Sequence, residues 1–137
     1  MKRPIPVTLA FWAVLILTTW NAVKAWTFIA WSATLEEFSS RYPPVVGAVS
    51  GIIWLLAGSV LAWGLWRNKR WSGKMLPVAS IGYILWYWVE RLLWQAPRPN
   101  LPFVITVEAV FLALVYITSK SLSREAYERN SENPAIE

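Results

Sequence analysis

The sequence predicts an all-α integral membrane bundle of four transmembrane helices, up-and-down, and three observations lead there. Four apolar stretches, residues 6–31, 45–66, 75–95 and 101–119, each approach the ~20 residues that cross a ~30 Å hydrocarbon layer. Basic residues concentrate in alternate connections between those stretches. Charged residues are 15% of the 137, against about 25% in soluble domains.

The first stretch follows Lys2-Arg3 and opens on Pro4 and Pro6, where a missing amide proton does no harm to a helix start. A secretory signal would show this basic beginning too. The Trp-rich apolar character continues through Trp26 and Trp31, so the segment is expected to be a retained span. Thr34 and Glu37 have capping-box spacing, and Leu35, Phe38 and Tyr42 fall near one face. A short external interfacial helix is therefore expected between spans one and two. Pro43-Pro44 ends it and opens the second stretch, which is uncharged from Val45 to Trp66.

Within that second span, Gly47, Gly51 and Gly58 form a small-residue face that lets another helix backbone approach closely. The expected use is packing inside the bundle, with Gly64, nearer the boundary, less critical. Asn100-Leu101-Pro102 reads as a cap with proline in the first turn of span four. Beyond Ser119, Arg124 with Glu128 and Glu125 with Arg129 are four-apart pairs that extend the last helix. Residues 1–129 are thus expected to form one domain, and polar residues 130–137 a disordered tail.

Lys2, Arg3, Arg67, Lys69, Arg70, Lys74, Lys120, Arg124 and Arg129 lie on one side of the expected membrane, Arg41 and Arg98 on the other. Basic residues stay cytoplasmic, so both termini are expected there, in the cell membrane. Arg67, Lys69, Arg70 and Lys74 make a basic turn that faces lipid headgroups. The run of residues 63–71, Gly64-Leu65-Trp66 followed by basic residues and Trp71, resembles the inner hairpin of small four-span bacterial membrane proteins. That resemblance implies the layout and a bacterial inner membrane, and carries no activity.

Composition excludes much chemistry. The chain has no Cys, no His and no Asp, which removes thiol–disulfide exchange, His-ligated haem, His/Cys zinc sites and imidazole relays. No phosphate-binding glycine loop or nucleophile–base pair is present. An enzyme, a metal and a cofactor are not expected, and the span-end placement of the +5 net charge points to lipid rather than nucleic acid. Of the eleven Trp, Trp26, Trp31, Trp63, Trp66, Trp71 and Trp94 fit an interfacial belt, whereas Trp20, Trp54, Trp86 and Trp88 lie deeper than it.

Lys24, Glu90, Arg91 and Glu108 interrupt apolar stretches. With about 1.5 Å rise per residue, Lys24, Glu90 and Glu108 lie about 8–10 Å inside the same, external boundary, with Arg91 at a similar depth. An unpaired charge costs up to ~2.5–3.5 kcal/mol at the bilayer centre. Pairing is therefore expected, with Arg91 or Lys24 as the partner of Glu108. Asn21 shares a face with Lys24, and Tyr83 and Tyr87 share one with Glu90, as polar lining. The expected function is a non-catalytic structural or accessory subunit that packs against a larger membrane complex or self-associates. The alternative is a small transporter or solute-binding protein that uses this charge cluster.

Overall fold

A computed structural model describes residues 4–38 and 41–132 and contains five helices: α1 (Ile5–Ala30), α2 (Ser32–Phe38), α3 (Pro44–Trp66), α4 (Arg70–Leu93) and α5 (Leu101–Glu132). Lys2, Arg3 and residues 133–137 of the expected tail lie outside the described residues, as does the side chain of Arg129 in the expected pair with Glu125. Residues 130–132, expected in the tail, continue α5.

Three helices are long and apolar enough to cross a membrane: α1, α3 and residues 101–125 of α5. The expected third span, α4, has 24 residues but is less apolar. Its charged groups and its indole and phenol rings lower its hydropathy, and those same groups build the site described below.

The long helices form a closed ring in which α1 packs on α3, α3 on α4, α4 on α5 and α5 on α1. Among the described residues, α1 and α4 face each other across the diagonal without direct helix packing. The surface is inverted relative to a water-soluble bundle. Along α1 the buried face is Val7, Ala10, Val14, Thr18, Asn21 and Ala25, mostly small or polar, while Trp12, Ile16, Trp20 and Trp26 are exposed. A helix whose exposed face is the apolar one suits a hydrocarbon solvent.

Packing is tight at the end that carries the α3–α4 turn. Val7, Val14, Leu61, Leu65, Leu76, Val115 and Leu122 make one cluster there, with Leu65 fully buried. The turn closes α3 with a Schellman motif: the Asn68 amide donates to Leu65 O at 3.2 Å and the Lys69 amide to Gly64 O at 2.9 Å. Asn68 takes the left-handed conformation this demands, φ 49°, which asparagine tolerates better than most residues. Pro77 inside α4 cannot donate to the carbonyl four residues back, Gly73 O. Ser119 Oγ of α5 donates to that carbonyl at 2.7 Å, so the proline break is repaired by a neighbouring helix.

The small-residue face of α3 is used against α1. A Cβ at Gly47 would meet the Phe28 ring at 2.6 Å, one at Gly51 the Ala25 backbone nitrogen at 2.9 Å, and one at Gly58 the Thr18 hydroxyl. Gly64, expected to matter less, is equally confined: a Cβ there would stand 2.7 Å from the Trp71 ring, because the turn folds α4 back over it.

Helix α2 exists but starts earlier than its expected cap. The chain bends at Trp31 and the Leu35 amide donates to Trp31 O at 2.9 Å, so Thr34 is already inside the first turn. No side-chain bond joins Thr34 to Glu37 among the described residues. Tyr42 is not on α2; it folds inward instead, with its ring 5.1 Å from Phe28 and 5.6 Å from Trp94.

Candidate functional site

The ring is open at the end opposite the α3–α4 turn, where two adjoining cavities occupy the space that α1 and α4 leave between them. The first is a polar cleft of about 490 Å³ lined by Lys24, Tyr42, Trp86, Glu90, Gln95 and Arg98, among others. At its wall, Lys24 on α1 and Glu90 on α4 reach across the diagonal. Lys24 Nζ donates to Glu90 Oε1 at 2.6 Å and to Oε2 at 2.8 Å. Oε1 also accepts from Trp86 Nε1 at 2.6 Å, Tyr42 OH at 2.8 Å and Ser50 Oγ at 3.1 Å.

Glu90 is 6% exposed, and its carboxylate is met by donors from α1, α3, α4 and the segment before α3. Charge-assisted bonds of this length fix geometry as well as stabilise charge. Burial first, then the bond to Glu90 and its negative charge, raise the Tyr42 phenol above its ordinary value, so Tyr42 stays a donor. Deeper in the bundle, Asn21 Nδ2 donates to Leu17 O at 2.7 Å and to Tyr83 OH at 3.4 Å, while the Tyr83 ring meets Trp54 edge-on at 5.0 Å.

The second cavity is a mainly apolar crevice of about 590 Å³ between α1 and α5, floored by α4. Ala13, Ile16 and Leu17 line one wall, Phe103, Val104, Val107 and Phe111 the other. It shares Trp20, Tyr83 and Tyr87 with the polar cleft, so the two spaces adjoin at those rings. Glu108 also lines it, half-buried.

The four expected intramembrane charges do not form one network. Lys24 and Glu90 meet. Arg91 turns outward, bonding Tyr87 OH at 3.0 Å, Asn100 Oδ1 at 2.8 Å and Arg98 O at 3.3 Å, which ties α4 to the turn before α5. The expectation that Glu108 pairs with Arg91 or Lys24 is therefore corrected. Its Oε2 accepts from Trp88 Nε1 at 3.0 Å, and no basic side chain pairs with it among the described residues. Trp88 separates the two charges: Arg91 lies over its ring, 5.6 Å from the centroid, while its N–H points to Glu108.

Trp86, Trp88, Ser50 and Tyr42 complete the site and were absent from the sequence-derived set. Trp86 stands four residues before Glu90, a spacing that puts both on one helix face and was available as a signal. Ser50 sits next to Gly51 on the small-residue face. Nothing local marks Tyr42, which arrives from the loop. At the opposite end Arg67, Lys69, Arg70 and Lys74 are exposed, with Arg67 5.8 Å from the Trp63 ring centroid. Compared with protein families, curated proteins and solved structures, the chain finds no match.

Proposed function

We propose that this is a non-catalytic four-span protein of the cell membrane, both termini cytoplasmic, that binds a small solute in the two adjoining cavities of its external half. The observation that carries this reading is Glu108. A carboxylate with no cation partner among the described residues lines an open crevice in a bundle where Glu90 is surrounded by donors. Intramembrane acids of this kind mark ion and substrate paths. The Lys24–Glu90 pair acts as the fixed wall beside it, since a buried pair held by several further bonds sets register rather than binding ligand. The α3 glycines support the same choice over an accessory subunit, because their close approach is already used against α1.

The reading is tested by mild detergent extraction and native mass spectrometry. A small molecule is expected to remain with the wild-type chain and to be lost from Ala13→Phe, which fills the crevice. Recovery in fixed stoichiometry with a larger protein, and no small molecule sensitive to Ala13→Phe, would instead establish the accessory-subunit role.

A further inference from the structure

Resting on that reading, we infer that the crevice takes a lipophilic organic cation, entering sideways from the membrane between α1 and α5. The wall chemistry narrows the ligand by elimination. An anion would face Glu108, while the nearest basic groups are engaged elsewhere: Lys24 by Glu90, and Arg91 by Tyr87 and Asn100. A hard inorganic cation needs six or more oxygens, and the side chains lining the crevice offer only the Glu108 carboxylate and the Tyr83 and Tyr87 hydroxyls, which already accept from Asn21 and Arg91. A neutral hydrocarbon tail would fill the volume but bring no countercharge to the Glu108 carboxylate, which has a hydrogen bond from Trp88 alone among the described residues.

A cation with an apolar body satisfies every surface. Trp20, Tyr83, Tyr87, Phe103 and Phe111 line the crevice with aromatic rings, a residue class whose faces attract cations, and Ile16, Leu17, Val104 and Val107 take the apolar part. Glu108 Oε2 is held by Trp88 Nε1, which orients the carboxylate, and Oε1 accepts no hydrogen bond among the described residues. The crevice volume, about 590 Å³, suits a compact organic molecule. Trp20, Tyr83 and Tyr87 then stand where the ligand would pass from the crevice toward the polar cleft.

The test uses two probes of the same shape and opposite charge, tetraphenylphosphonium and tetraphenylborate, in equilibrium dialysis of the purified protein in neutral detergent. Saturable binding above the micelle background is expected for the phosphonium and not for the borate. Glu108→Gln should weaken phosphonium binding roughly tenfold or more, the scale of losing one partner of a charge pair. Glu108→Asp keeps the charge and should retain binding to within a few-fold. Equal saturable binding of both probes, no saturable phosphonium binding, or unchanged affinity in Glu108→Gln would overturn the inference. The comparison of probes on the wild-type chain needs no variant to fold. The broader solute-binding reading is judged separately, by the Ala13→Phe experiment, and survives if a molecule of another class proves sensitive to it.

Discussion

Replacing Glu90 by Gln is expected to destabilise the folded bundle by about 3 kcal/mol, because it strands a buried ammonium group. Lys24 is held by both carboxylate oxygens and its side chain is 16% exposed, so water cannot replace the lost partner fully. Lys24→Met should cost a similar amount by leaving the carboxylate without its cation. The double variant should recover about 1–3 kcal/mol of the summed loss, since residues in contact are non-additive. Unfolding titrations in mixed micelles measure the cycle. The same cycle for Arg91→Met and Glu108→Gln should give less than about 1 kcal/mol, as no direct bond joins the two among the described residues and Trp88 lies between them. A larger coupling for Arg91 and Glu108 than for Lys24 and Glu90 would contradict this assignment of partners.

Gly51→Leu is the second large effect, with an expected loss of about 1–3 kcal/mol from overpacking. The obstacle is the Ala25 backbone, 2.9 Å from an added Cβ, so relief requires α1 and α3 to separate. Gly64→Leu should be comparably harmful, because Trp71 and Ser72 close over it. Gly82→Ala is the control: its Cβ would meet Trp54 at 3.4 Å, an ordinary contact, and stability should change little. Equal tolerance of all three substitutions in the same titrations would mean that α3 does not pack through this face.

Apolar length, proline starts and the small-residue face were legible in the sequence because each is a local pattern with one physical cause. Lys24 and Glu90 were recognisable as residues needing partners for the same reason: a charge in an apolar stretch is conspicuous. What the pattern could not supply was which charges meet. Arg91 and Glu90 are neighbours in sequence, yet they point to different elements, one to the turn before α5 and one across the diagonal to α1. Trp86 and Trp88 are marked in the sequence only as deeper than the interfacial belt, although each donates its N–H to a carboxylate. Tyr42 shows the limit most plainly, since a loop residue enters the site only once α1, α3 and α4 have come together around it.

The most direct test of an external, open cleft in a four-span bundle is thiol labelling in intact cells, and the chain has no native Cys to interfere. Arg98→Cys sits at the cleft mouth, Tyr87→Cys about 10 Å further in from Trp94, and Lys69→Cys on the exposed α3–α4 turn at the opposite end. A small membrane-impermeant thiol reagent added outside should label Arg98→Cys and Tyr87→Cys, and should reach Lys69→Cys only after permeabilisation. Labelling of Lys69→Cys in intact cells would invert the orientation, and a Tyr87→Cys that stays unlabelled while Arg98→Cys reacts would mean that the cleft is closed.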